Sequence, residues 1–186
     1  VTQGSIGPAA DPEEVHELVT GYCAAAGLEW EPGARAREVV VTLPGEHKLR
    51  TVCSLLVGER ALSVQAFLVR NPDENHEAVY RHLLRRNLRL PGLAYAVDGS
   101  GDVFVTGRLP LAGVDERALD ELLGAVLAAS DEPFDEVLAL GFLTSMRREW
   151  AWRTSRGEST ANLARFRHLL EEEPPSGPED GRPPRQ

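Results

Sequence analysis

Apolar positions along the 186-residue chain switch between two periods, and the switches mark out its elements. Val15, Leu18, Val19, Tyr22 and Ala26 recur at helical spacing. Asp11 can cap that helix, Pro12 suits its first turn, Glu14 sits at the capping-box position and Gly27 supplies the stop. A loop through Trp30, Pro32 and Gly33 leads into the strand-like run REVVVTLPG, and KLRTVCSLLVGERALSVQAFLVR reads as a hairpin turning at Gly58-Glu59-Arg60. After the turn at Asn71-Pro72, Asp73 is expected to cap a second helix running to about Leu88, with Val79, Leu83, Leu84 and Leu88 as its core stripe. Leu93–Val97 and Val103–Leu109 flank Asp98-Gly-Ser-Gly-Asp102 as a second hairpin. Asp115 is expected to cap a third helix that turns Leu119, Leu122, Leu123, Val126 and Leu127 inward, and Ser130–Pro133 interrupts it before the apolar stretch Val137–Phe142.

The order α-β-β-β-α-β-β-α predicts an α+β fold, an antiparallel sheet packed with helices. On the first hairpin one face carries Leu49, Cys53, Leu55 and Val57, then Leu62, Val64, Ala66 and Leu68. The other mixes Arg50, Ser54, Ser63 and Gln65 with Val52, Leu56, Phe67 and Val69. A sheet wet on one side alternates more cleanly, so the C-terminal arm or another subunit is expected to cover part of this second face. Along the chain the expectation is a flexible leader over 1–10, one domain over 11–143, an arm and short helix over 144–170 packed on it, and a disordered tail over 171–186.

Composition narrows the classes. Hydrophobic residues are 42% and charged residues 26%, as in a globular chain, and the net charge of −9 argues against a nucleic-acid partner. No apolar run approaches the ~18–20 residues of a membrane helix, and VTQGSIGPAADPEE lacks the pattern of a signal peptide. Cys23 and Cys53 fit no metal or redox spacing and fall on apolar stripes, where buried, reduced thiols suit a cytoplasmic location. Lys48 is the only lysine beside many arginines, and that bias lowers the weight of any arginine cluster.

The commonest nucleotide and hydrolase loops are absent. Histidines 16, 47, 76, 82 and 168 form no i,i+4 pair, so neither a metal nor a cofactor is expected. Asp98–Asp102 reads as a hairpin turn rather than a calcium loop, lacking the acidic residue at position twelve. His76, between Asn75 and Glu77, is a candidate pH-sensitive group, or an acid/base beside Glu74 or Glu77. With no nucleophile or oxyanion partner in view, no catalytic residue is assigned. The stretch from Arg147 to Arg156 carries a local charge of +3 and two tryptophans. Arg147, Trp150, Trp152, Arg153 and Arg156 are candidate contacts for a protein or a small anionic ligand, with Arg81 and Arg85 of the ridge Arg81-Arg85-Arg89 as neighbours. The alternative is that Trp150 and Trp152 alternate like a strand and pin the arm to the sheet while the arginines snorkel outward.

VRNPDENHEAVYRHLLRRNLRLPGLAYAVDGSGDVFVTGRLPL, followed by DERALDELLGAVL, resembles the YbjN-domain proteins of bacteria, labelled sensory transduction regulators. The likeness runs from about 11 to 143, with its specific core at Pro72–Glu77, Tyr80-Arg81 and Asn87–Leu90, and EWAWRTSRGES at 149–159 looks like an actinobacterial subgroup. The resemblance implies the fold of type III secretion chaperones, commonly dimeric, with no enzymatic activity to carry over. Such chaperones bind an extended segment of a client protein. The resulting expectation is a non-enzymatic, cytoplasmic, homodimeric protein-binding module, an adaptor or chaperone-like regulator. A small-anion sensor and an enzyme built on His76 are its alternatives.

Overall fold

Antiparallel pairing between Glu29 and Pro110 builds one six-stranded sheet, and the helices are distributed around it. The computed structural model describes residues 10–171, so the leader over 1–9 and the tail from 172 lie outside the described residues. Helix α1 (Pro12–Ala25) opens on Asp11, whose Oδ1 accepts from the Glu13 N–H at 2.9 Å, and Gly27 takes φ +65° just past its end. Strands β1 (Glu29–Pro32), β2 (Glu38–Pro44), β3 (Arg50–Val57) and β4 (Ala61–Val69) follow as a meander. Helix α2 (His76–Asn87) crosses over to β5 (Leu93–Val97), which turns back into β6 (Val103–Pro110). β6 pairs with β4, giving the order β1-β2-β3-β4-β6-β5.

Strand β1 stands where a loop is expected. All four of its residues are exposed, and it ends on Pro32. Backbone pairing at a sheet edge needs no alternation of side chains, so nothing in the hydrophobic pattern marks it.

The covered face of the sheet carries Val39 and Val41, Cys53 and Leu55, Leu62 and Val64, and Val103 and Val105, all buried. Val15, Val19 and Cys23 of α1, with Leu119, Leu123 and Val126 of α3 (Glu116–Asp131), close over it. Asp115 caps α3 through the Ala118 N–H at 2.7 Å. Burial pushes the Cys53 thiol up to about 12 and the Cys23 thiol upward too, so both are inert, free cysteines. Leu49 is exposed, because β3 begins one residue later and Thr51 takes the inward position. On the other face Val52 and Phe67 remain exposed, and Phe67 meets Phe104 directly across the β4–β6 pair, edge to face at 5.6 Å. An irregularity between Phe67 and Val69 shifts the register and turns Val69 inward. The Asp98–Asp102 segment is a hairpin turn: Asp98 Oδ1 is occupied by the N–H groups of Ser100 and Asp102.

Past Pro133 come α4 (Phe134–Gly141), α5 (Leu143–Arg156), a 3-10 turn (Ala161–Phe166) and α6 (Arg167–Leu170). Met146, Leu163, Phe166 and Leu170 join the core. No helix of the described residues is long and apolar enough to cross a membrane.

Candidate partner-binding site

Helix α2 buries Val79 and Leu83 and leaves Leu84 and Leu88 at 62% and 89% exposure. The stripe expected from the sequence is therefore split. Leu84 and Leu88 lie about 100° and 140° around the helix from Leu83, beyond the reach of the core. With half-buried Tyr80 they form an apolar crest, and Arg81 and Arg85 run along its flank. Arg81 pairs with Glu77 one turn back, while Arg85 has no acidic partner among the described residues.

Behind the crest, between α2 and the facing surfaces of α3 and α4, lies a groove of about 770 Å³. Arg81, His82, Arg85, Arg86 and Arg89 line it from α2, and Ala125, Ala128 and Ala129 leave it open from α3. Arg86 reaches Glu132 at 2.6 Å and His82 Nδ1 lies 3.0 Å from Glu136, two ties that hold α2 to the neighbouring helices. Among the described residues the buried Nε atom of Arg86 and Nε2 atom of His82 have no hydrogen-bond partner. At the far side of α2, Asn87 Oδ1 accepts the Tyr95 N–H at 2.8 Å. That bond occupies a donor on the outer edge of β5, so α2 covers this end of the sheet.

The arginine–tryptophan stretch is helix α5, not an extended arm. Trp150 and Trp152, two residues apart, point about 200° away from each other. Trp150 is half-buried against the core with Arg167 over its ring at 5.9 Å. Trp152 is 48% exposed and stacks with Arg156 at 4.8 Å. Arg147 donates twice to the Leu169 carbonyl, at 3.2 and 3.0 Å, and Arg153 reaches Glu149 at 2.8 Å and the Ser159 carbonyl at 3.1 Å. None of these five residues lines the groove that holds Arg81 and Arg85. The candidate contacts are thus two separate places, and of the five on α5 only Trp152 and Arg156 are exposed.

The loop before α2 is a clasp. Asp73 does not cap α2, whose N-cap is Asn75 in a left-handed conformation at φ 51°. Asp73 pairs with Arg70 at 2.6 Å and accepts from the Ser145 hydroxyl at 2.7 Å, which holds its carboxyl down at about 2. Glu74 accepts from both the N–H and the hydroxyl of Thr144 at 2.7 Å, and these bonds lower its pKa. The Asp73 and Glu74 N–H groups donate to Gly141, and Asn75 donates to the Leu140 carbonyl at 3.1 Å. Asn71 bonds the β5–β6 turn at Ser100 and Asp102, and His76 Nε2 donates to Asn71 Oδ1 at 3.0 Å. Glu74 and Glu77 are engaged elsewhere. Among the described residues no group of three or more His, Cys, Asp and Glu is placed to hold a metal ion.

The family profile of YbjN, described as "Putative bacterial sensory transduction regulator", matches residues 16–139. The chain belongs to the YbjN family. An uncharacterised protein of Mycobacterium leprae is 50% identical over 135 residues, 73% of each chain. One of Mycobacterium tuberculosis is 50% identical over 138 residues, 74% of this chain and 75% of its own. Among solved structures, a chain of the ExsC–ExsE complex superimposes with a TM-score of 0.51 at 18% identity, over 67% of this chain and 93% of that one. A chain of the HopA1–SchA chaperone–effector complex reaches 0.49 at 12% identity, over 68% and 98%. The α+β fold read from the sequence holds, and it is shared with the chain of the ExsC–ExsE complex.

Within this YbjN domain the run Pro72–Glu77, with Asn71 before it, serves architecture: it ties the β5–β6 turn, the end of α4 and the start of α5 together. Gly141 is part of the same fit, since a Cβ there would come within 3.0 Å of Pro72 and 3.1 Å of Val79. The exposure of Leu84 and Leu88 is the feature that sequence reasoning missed. Its one available signal was a surplus of apolar positions on a helix with an arginine ridge.

Proposed function

We propose that this YbjN chain is a protein-binding module, an adaptor or chaperone-like regulator without chemistry of its own, and that it works as a homodimer built on the crest of α2. The carrying observation is the exposure of Leu84 and Leu88 on one face of a helix whose other face is fixed in the core. Paired leucines rimmed by arginine have the composition of a contact surface, and burying each contributes about 1.5–3 kcal/mol. Since Asn87 blunts the β5 edge, at this end of the sheet the second copy meets helix against helix rather than by adding a strand. A protein client would take the open sheet face at Val52, Phe67 and Phe104, with the Trp152–Arg156 stack as an accessory contact. The reduced, buried thiols suit work in the cytoplasm.

The test uses a single reactive thiol, which the inert native cysteines permit. A Leu88→Cys variant treated with a short bismaleimide at dilute protein concentration is expected to give a covalent dimer. An Arg117→Cys control on α3 is expected to give none. Equal, sparse cross-linking from both would overturn the dimer surface.

A second reading, a small multiply charged anion in the groove behind the crest, is favoured by Arg85 and Arg89, which share that groove without acidic partners among the described residues. Pyrophosphate is then expected to raise the melting temperature of the wild type and not of Arg85→Glu with Arg89→Glu. No rise in either would rule this reading out for that anion.

A further inference from the structure

Lys48, the only lysine of the chain, sits against aromatic rings rather than among acids. Its Nζ lies 5.3 Å from the centre of the Phe67 ring and 5.9 Å from that of Phe134, and it donates to the Phe67 carbonyl oxygen. Beside it opens a cavity of about 510 Å³, walled by Phe134, Leu138, Phe142, Met146, Leu163 and Phe166. That volume is within the range of small-molecule sites.

No carboxylate among the described residues forms an ion pair with this ammonium. Asp131, at the end of α3, accepts the backbone N–H of Lys48 at 2.8 Å and that of His47 at 2.9 Å. Asp135 is held by His47 and Arg165, Glu149 at the rim by Arg153, and Arg70 at the rim by Asp73. An ammonium has three donors, and one protein acceptor is in place. A cation drawn into apolar surroundings without a counter-ion is costly unless something supplies one.

We propose that this cavity binds a small amphipathic carboxylic acid, its carboxylate paired with Lys48 and its aromatic or branched aliphatic body lying between Phe134, Phe142 and Phe166. Burial pushes the Lys48 amine down to about 8, the mark of a cation short of a partner, and an arriving carboxylate would reverse that. Of the three cations in the lining, Arg70 and Arg165 are paired with Asp73 and Asp135, so one unpaired charge and the apolar walls favour a monoanion with an apolar body over a phosphate. Because β4, α4, α5 and the 3-10 turn all contribute walls, an occupant would also tie the C-terminal segment to the sheet.

Met146, the only methionine of the chain, is a built-in reporter in the wall. With methyl-labelled methionine, 1-naphthaleneacetate is expected to shift the Met146 signal saturably. 1-Naphthaleneacetamide, of the same body without the charge, is expected to bind about tenfold or more weakly. A Lys48→Met variant, which removes a charge from apolar surroundings and so folds, is expected to bind acid and amide alike. The proposal is overturned if the acid leaves the Met146 signal unmoved, if acid and amide bind equally to the wild type, or if Lys48→Met keeps the preference for the acid.

Discussion

Glu74 and Thr144 are seventy positions apart and share two hydrogen bonds of 2.7 Å, one from the Thr144 N–H and one from its hydroxyl. A carboxylate in the loop before α2 thereby satisfies a free donor at the start of α5, where the helix dipole also favours negative charge. With Asp73 on Ser145 beside it, the loop before α2 works as a latch on α5.

Opening that latch is expected to loosen α5 without unfolding the sheet. Glu74→Ala removes a capping interaction of about 1 kcal/mol. Hydrogen exchange should then speed up at Thr144–Arg148 and stay unchanged in β3 and β4. Glu77→Ala, whose one partner among the described residues is Arg81 on its own helix, serves as the comparison and should change neither.

Acid is expected to weaken the fold through two carboxylates. Arg35 and Ser54 hold Glu38 down at about 2, and Arg70 and Ser145 do the same for Asp73. Both folded values lie below the ordinary ones, so their contribution is complete above about pH 4.5 and is lost as pH falls towards 2. Denaturant unfolding of Glu38→Gln should show a shallower fall across that window than the wild type. An identical slope would remove Glu38 from the account.

The opposite sign applies to Lys48. Its folded pKa, about 8, lies below the ordinary 10.5, so the unfolded chain binds the extra proton and this group makes stability rise between those values. Replacing it by Met is expected to stabilise the protein at pH 7 by about 1 kcal/mol or more. The gain should shrink as pH approaches 10.5, which paired melting curves would show.

The arginines of α5 should separate by what they touch. Arg147→Ala frees the Leu169 carbonyl from two donors and is expected to cost about 1 kcal/mol and to fray α6. Arg156→Ala, which loses only its stack on exposed Trp152, is expected to stay within about 0.5 kcal/mol of the wild type. Chemical denaturation of the two variants distinguishes them.

Where one face of an element meets the core, the sequence is a sufficient guide. Val15, Val19 and Cys23 announce α1, Asp115 announces α3, and the alternation through Leu55 and Val64 announces the first hairpin. It fails where the physics is not local. Asp73 and Glu74 carry a capping signal, and only the tertiary fold decides that the helix they serve is α5 rather than α2. Trp150 and Trp152 alternate in the sequence, but good helix formers around them and the stop at Gly157, φ 68°, place them on opposite faces of a helix. Leu84 and Leu88 look like core because hydrophobicity alone cannot separate a residue that meets the protein's own interior from one left on its surface.

The central claim, that the crest of α2 holds a second copy, is tested most directly by light scattering over a concentration series. The wild type is compared with Leu84→Glu, Leu88→Glu, two exposed positions whose exchange leaves the core intact. The account predicts twice the chain mass for the wild type, falling only on dilution, and a folded monomer for the variant at every concentration. A wild type that stays at 20.3 kDa at high concentration, or a variant that keeps the doubled mass, would contradict it.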